Sequence, residues 1–363
     1  MVIIDAMPHR HVGPDLTPHL WRQTTAGGRA PTGGRSLPVS VTYANHAALV
    51  TGAHPQDTGI HGNHVWDPER GWVPAPKEGP RAPTLFDDVA AAGGSSAFVV
   101  GDHKLVHQMG GTTADHCWPP DGWIPDGTER CEFGYVADAG VLAALDDVDR
   151  CGGLDTDLVV VHLNQPDTTS HLYGPDSPEA LEQYRATDAA YGQVIDRLAD
   201  GWDRTLLVTV SDHDQETITD LEPVELAAAL ADLDGVDVVD EGTAALVHVA
   251  TGAATSGGDT VIDRVRAVPG MEGIERLPDR TAHTGDIWMA WTEPGRSFGA
   301  TPIPIHGQHG SPRCRTQLAI VSGGHPEVSP LATRVADSVP SVLDWAPMIR
   351  TWLAPTPRRQ EAS

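Results

Sequence analysis

Five short runs of apolar, mostly β-branched residues punctuate the chain: VII (2–4), AFVV (97–100), DLVVVHL (157–163), LLVTV (206–210) and LAIVS (318–322). None alternates polar with apolar residues. A strand with one wet face would show that alternation, whereas the strands of a parallel sheet are covered on both faces and read as continuous apolar runs. Helical stretches lie between them. The clearest opens at Ser177-Pro178-Glu179, an N-cap followed by proline at the first helical position, and carries Leu181, Tyr184, Tyr191, Ile195 and Leu198 at helical spacing. Another is expected from about Leu331 to Leu353. This alternation predicts an α/β fold, a three-layer α/β/α sandwich around a mostly parallel central sheet.

Two stretches break the pattern. Residues 66–84 and 117–134 are rich in Pro, Gly and Trp (WDPERGW, CWPPDGWIPDG), and loops of that length often serve binding. Their aromatics either line a pocket or pack the loops themselves. Residues 214–300 are acidic, with strand-like AALVHVA and DIWMAWT, and are expected to form a small inserted subdomain over a core made of 1–213 and 301–353. The tail 354–363 reads as disordered.

The strand ends carry the chemistry. Asp5 follows the first run. Asp167 and His171 follow the third, four residues apart, a spacing that puts both on one face of a helical turn and lets them grip one ion. Asp212 and His213 follow the fourth; an adjacent Asp and His at the end of a buried strand are costly unless paired or metal-bound. Thr42 precedes a helical stretch that closes at Gly52, so its hydroxyl sits where free N–H groups and the helix dipole favour a phosphate, although a plain N-cap is the simpler role. His306 and His309 both precede Gly, and the distance to LAIVS favours His309 as a further ligand. Oxygen and imidazole donors at the ends of buried strands suit a divalent ion such as zinc.

The net charge of −26 fits this chemistry only if the site is locally positive. Such a surface repels nucleic acid and anionic membranes, so neither is an expected partner. It also repels phosphate esters at long range, and two dications would reverse that locally. The four cysteines (Cys117, Cys131, Cys151, Cys314) fit no zinc ribbon. They favour a reduced cytoplasmic protein over one with a Cys117–Cys131 bridge. No apolar run reaches the roughly 18 residues of a membrane span, and the N-terminus has no signal-like segment, so a soluble, cytoplasmic protein is expected.

In order, the segments resemble the alkaline phosphatase superfamily, and within it the type I phosphodiesterase/nucleotide pyrophosphatase branch. TYANHAALVTGAHPQDTGIHGNHVWDP (42–68) is similar to that branch's T-F-P-N-H, V-T-G and H-G-I-x-x-N-x-x-Y-D-P elements. PDTTSHLYGP (166–175) is similar to P-D-S-S-G-H-x-Y-G-P, SDHDQ (211–215) to S-D-H-G-M, and HGSPRCRTQLAIV (309–321) to the late H-G and closing strand. The resemblance implies two ions, usually zinc in this family. One set of ligands would be Asp167, His171 and His309, the other Asp5, Thr42, Asp212 and His213. It implies Thr42 as nucleophile, forming a phospho-threonine that water hydrolyses. The Tyr43 backbone N–H and the Asn63 side chain would meet the charge on a small anionic phosphoryl substrate.

Three departures stand out. Asp214 replaces the Gly expected after Asp-His, and Ala44 replaces Pro. His162 stands five residues before Asp167, where nucleotide-binding members resemble one another in placing a base-stacking Tyr, so His162 joins Tyr43 as an expected substrate contact and base recognition is in question. Lys104, in VVGDHKLV (99–106), resembles a K-x-K-L segment of the sister phosphonoacetate hydrolases, where lysines hold a substrate carboxylate; a solvated loop lysine is the plainer reading. The expected activity is therefore two-metal hydrolysis of phosphodiester or nucleotide pyrophosphate bonds. Phosphonoacetate or phosphomonoester hydrolysis, and an inactive metal-binding homologue, are the alternatives.

Overall fold

The computed structural model describes residues 1–75, 79–253, 257–281, 285–299, 301 and 303–354. Its centre is a seven-stranded sheet in the order Gly28–Arg29, Ala319–Ser322, Leu207–Val210, Val2–Ile4, Leu158–Leu163, Ser96–Val100, His116–Trp118. The last five are parallel; Ala319–Ser322 runs antiparallel to both its neighbours.

Period-two geometry explains the non-alternating apolar runs. Ile3, Phe98, Val160, Val208, Val210, Ala319 and Val321 face one way, into a core closed by Leu49, Phe86, Trp345 and Ile349. Val2, Ile4, Val99, Val161, Leu163, Leu207 and Ile320 face the other way, against Leu20, Val141, Leu145, Tyr184, Tyr191 and Val194. The inner strands are therefore covered on both faces, and helices form a layer on each side.

The helix expected over 331–353 is two helices, Val328–Ala336 and Trp345–Leu353. Pro340 separates them, since it supplies no N–H and biases the preceding residue away from helical geometry. A capping box between Ser341 and Asp344 restarts the helical turn just before the second. The long loops are also more regular than expected. His64–Asp67 and Gly71–Pro74 form a hairpin, and His116–Trp118 extends the main sheet.

The 214–300 stretch holds a four-stranded antiparallel sheet, in the order Val236–Glu241, Ala244–Ala250, Gly285–Thr292, Met271–Thr281. One face makes its own core with Leu226, Leu230, Val261 and Val265. From the other face, Leu246, Ile287 and Met289 join the main core cluster. Trp66 fastens the hairpin to this sheet by stacking on His248 at 3.7 Å, while the Trp72 indole donates to the Asp237 carbonyl at 3.3 Å. All four cysteines are free. No described helix is long and apolar enough to cross a membrane. Beyond Ala354, the tail expected to be disordered lies outside the described residues.

Candidate metal centre

The candidate ligands converge where parallel strands end. Asp5 continues the ladder of the first strand, its N–H donating to the Leu163 carbonyl at 2.9 Å. The next residue, Ala6, turns in the left-handed region (φ 51°) and gives its N–H to Asp212 Oδ1 at 3.1 Å. The first turn of the chain thus orients a carboxylate that lies more than 200 positions away.

Asp212 and His213 are fully buried behind Leu207–Val210. His213 donates its Nδ1–H to the Asp214 carbonyl (3.2 Å), which leaves the Nε2 lone pair 3.1 Å from Asp212 Oδ2 and 3.9 Å from Asp5 Oδ1. Asp5 Oδ1 and Asp212 Oδ2 are buried and make no hydrogen bond. A lone pair turned toward two orphaned carboxylate oxygens is unfavourable unless a cation sits among them. Asp5, Asp212 and His213 therefore fit a divalent ion by their own chemistry, as their mutually close donor atoms also indicate.

Asp167 and His171 lie on the helix Gln165–Tyr173, with His171 Nε2 3.3 Å from Asp167 Oδ1. His309 Nε2 lies 3.9 Å from the same oxygen. His171 and His309 also direct Nδ1 to backbone carbonyls, Gly307 at 2.8 Å and Ser40 at 3.0 Å, so both present Nε2 inward. The grouping has a twist: His213 closes with Asp167 and His309 as well as with Asp5 and Asp212, so it stands between the two clusters. His306 is half-buried and outside this group; its backbone N–H and carbonyl bind His171 and Ile218.

Burial drives the electrostatics. It raises Asp5 well above the ordinary carboxylate range, and the Asp212 charge adds to that. Burial also favours the neutral acid at Asp167, but His171 and His309 outweigh it and hold this carboxyl below the usual range. His309 is pushed well below its ordinary value by burial and by His213 and His171, which keeps its imidazole neutral and able to ligate.

Thr42 is the first residue of the helix Thr42–Thr51, preceded by extended Val41 and closed by left-handed Gly52. Its Oγ1 lies 3.4 Å from His213 Nε2. The Asn45 side chain pins the approach, accepting from Leu37 N–H and donating to the carbonyls of Val39 and Val41. Asn63 Oδ1 accepts from the Tyr43 N–H at 3.1 Å, so that N–H is already engaged and the Asn63 Nδ2 group is the end left for the cleft. The cleft, about 180 Å³, is lined by Thr42, Tyr43, Asn63, Asp102, Tyr135, Asp5 of one cluster and Asp167, His171 and His309 of the other, while Asp212 and His213 lie behind its wall. A larger cavity, about 690 Å³, lies at the other end of the sheet around Met1, Leu145, Arg197 and Trp352 and holds none of these residues.

His162 is not a wall of the cleft. It is fully buried behind Asp5, its Nε2 3.0 Å from Asp5 Oδ2, with its ring edge-on to His46 at 5.0 Å. The strand's alternation turns position 162 to the side of the Thr42–Thr51 helix, away from solvent. Lys104 is at the rim: it is exposed, with Nζ 3.4 Å from the Tyr135 hydroxyl and 5.3 Å from that ring's centroid.

Several neighbours carry no sequence signal of their own. Gln215 Nε2 donates to Asp167 Oδ1 at 2.7 Å. Asp214, the residue in place of Gly, takes a bidentate pair from Arg10 at 2.8 and 2.6 Å. Asp102 adds a buried carboxyl to the cleft, pushed up to about 6 by burial against the opposing Lys104 N–H. His46, inside the quoted TYANH segment, donates from Nδ1 to the Thr42 carbonyl at 2.9 Å.

A family model described as type I phosphodiesterase/nucleotide pyrophosphatase matches residues 1–298. Mouse ectonucleotide pyrophosphatase/phosphodiesterase family member 1 is 28% identical over 205 residues, which is 54% of this chain and only 22% of the mouse protein. The chain thus matches about a fifth of that relative's length. Phosphonoacetate hydrolase from Sinorhizobium meliloti 1021, solved with phosphonoacetate, superposes with a TM-score of 0.72 at 18% identity, covering 97% of this chain and 95% of that one. Murine ectonucleotide pyrophosphatase/phosphodiesterase 5, solved with AMP, gives 0.69 at 17% identity, covering 97% and 93%. These two likenesses establish the fold, and the family match rests on the sequence: the chain belongs to the type I phosphodiesterase/nucleotide pyrophosphatase family.

Proposed function

We propose that this protein is a two-metal hydrolase of phosphodiester or nucleotide pyrophosphate bonds in which Thr42 is the nucleophile. The observation that carries the reading is the Thr42 hydroxyl, at a helix start, 3.4 Å from His213 in a buried Asp/His cluster whose carboxylate oxygens Asp5 Oδ1 and Asp212 Oδ2 lack partners, with a second Asp/His cluster sharing His213. Asp5, Asp212 and His213 with Thr42 would hold one divalent ion, and Asp167, His171 and His309 the other, zinc being the expected metal. When bound, such ions supply Lewis-acid stabilisation of phosphoryl oxygens and acidify hydroxyl or water.

The chain's own groups do the rest. Two dications would exceed the three ligand aspartates by one charge, which the Asp102 carboxyl at the cleft partly offsets; the site would still be far less negative than the rest of a chain of net charge −26 and so admit a phosphoryl anion. The positive end of the helix starting at Thr42 favours the non-bridging oxygens, and the Asn63 Nδ2 group, left free because Oδ1 holds the Tyr43 N–H, donates to one of them. Thr42 Oγ1 attacks phosphorus as one substituent (alkoxide, aryloxide or phosphate) departs in line and takes up a proton from water, while the Thr42 proton passes to solvent. The phospho-threonine keeps the other ester group; water then cleaves its bond to Thr42, releasing a phosphomonoester and returning the hydroxyl.

The test is Thr42→Ala assayed on an aryl phosphodiester. Activity should fall to background while the protein stays folded; unchanged turnover ends the proposal. A second reading, phosphonoacetate hydrolysis, draws on Lys104 at the cleft rim beside Tyr135. A side-by-side assay of diester, monoester and phosphonoacetate separates the two, with Lys104→Ala expected to affect only the carboxylate-bearing substrate.

A further inference from the structure

Asn63 belongs to the loop that follows the Pro55–Thr58 turn, and the hydrogen bonds that hold it come from outside that loop. The holding group comes from the inserted sheet, 178 residues later. Glu241 ends the strand Val236–Glu241 and is 4% exposed. Its Oε2 accepts the Asn63 N–H at 3.1 Å, and its Oε1 accepts the His64 N–H at 2.8 Å and faces His64 Nδ1 at 3.2 Å. Two successive backbone donors on one buried carboxylate make a rigid clamp. The Ala75 N–H binds the Asn63 carbonyl at 3.0 Å from the other side.

The clamp depends on close approach. A Cβ on Gly62 would lie 2.6 Å from Glu241 Oε1, so any other residue there displaces the carboxylate. The same turn also touches the metal cluster. The Thr243 N–H donates to the His309 carbonyl at 2.7 Å, and a Cβ on Gly310 would lie 2.2 Å from the Glu241 carbonyl oxygen. One turn of the inserted sheet therefore packs against both the Asn63 loop and the His309 segment.

We infer that Glu241 is a positioning residue for phosphoryl recognition: it fixes the Asn63 backbone so that Oδ1 stays on the Tyr43 N–H and Nδ2 is presented to the cleft. The inference rests on the reading of Asn63 as a phosphoryl ligand given above. It assigns the inserted sheet a part in binding the substrate's phosphoryl group, acting without touching it.

The experiment is a double-mutant cycle in the full-length, zinc-loaded protein, with Glu241→Gln, Asn63→Ala and the pair. Glu241→Gln keeps the shape but replaces one accepting oxygen with a donor. It should lower kcat on an aryl phosphodiester, and weaken inorganic phosphate binding measured by calorimetry, by about tenfold each. Zinc content should not change. In the Asn63→Ala background the same substitution should cost less than about twofold. Hydrogen exchange of the metal-free protein should show the amides of residues 63 and 64 protected in the wild type and released in Glu241→Gln. Gly62→Ala, which displaces the carboxylate by another route, should reproduce the pattern if Glu241→Gln folds poorly. Equal losses in both backgrounds, lost zinc, or unchanged exchange at 63 and 64 would overturn the inference. If the wild type binds phosphate but hydrolyses no diester, the functional reading fails while the binding cycle and the exchange data still decide the role of Glu241.

Discussion

The imidazoles of His213 and His309 stack with centroids 3.9 Å apart and planes inclined by 21°. Each presents Nε2 to a different carboxylate, His213 to Asp212 and His309 to Asp167. The two clusters thus share a wall of two rings, and neither is a self-contained site. His213→Ala should therefore disturb both, lowering bound zinc below two per chain and cutting hydrolysis by at least about 100-fold. Elemental analysis of the purified variant checks this; full zinc occupancy with normal turnover contradicts it.

His162 supports Asp5 from behind. Its Nε2 at 3.0 Å from Asp5 Oδ2 sets the carboxylate so that Oδ1 faces Asp212 and His213. His162→Gln should weaken metal binding by about 10–100-fold, as loss of a group that orients a ligand usually does. Competition with a chelator measures it. A raised KM at unchanged metal affinity would instead return His162 to the substrate's side.

Arg10 neutralises the unusual Asp214. The aspartate side chain is 11% exposed and the arginine 40%, so solvent screens the pair only in part. Arg10→Ala leaves the carboxylate buried without its partner and should destabilise the fold by about 1–3 kcal/mol. Asp214→Gly in the same background should recover most of that in urea denaturation. An Arg10→Ala protein as stable as the wild type refutes the pairing.

Two histidines outside the cluster give the fold an acid sensitivity. Burial, assisted by Arg29 at His9 and Arg81 at His61, lowers both rings from 6.5 to about 4. Between those values the unfolded chain binds protons that the folded chain does not, so stability falls as pH drops from 6.5 toward 4 and levels off below. Neither nitrogen of His61 has a hydrogen-bond partner, so His61→Phe removes one of these groups without stranding another. Its denaturation midpoint should depend less steeply on pH across that window; an unchanged slope contradicts the assignment.

Much of this could be read along the chain because the runs that make the sheet are contiguous and mostly apolar, so polar residues just past them stand at strand ends. Asp5 and Asp212 are legible for that reason, and Asp167 by its four-residue spacing to His171 on the helix that follows. The two-helix ending does not show in the apolar spacing of 331–353; Pro340 and the Ser341–Asp344 capping box mark the break. His162 does not line the cleft as the resemblance implies, because strand parity turns it inward: position 162 shares the face of Val160 and pairs with Ile3 in register. Arg10, Asp102 and Glu241 gave no local sign at all. Their partners are set by tertiary contacts, and a lone charged residue in a sequence carries no address.

The central claim is that Thr42 becomes covalently phosphorylated during turnover. The direct measurement is acid quenching of the zinc-loaded protein in the presence of excess aryl phosphodiester, followed by peptide mass spectrometry. The expected result is a peptide carrying on Thr42 the phosphoryl group with the substrate's retained ester substituent, absent after chelation and absent from Thr42→Ala. Steady hydrolysis by Thr42→Ala at the wild-type rate, with no phosphopeptide from either protein, would contradict it.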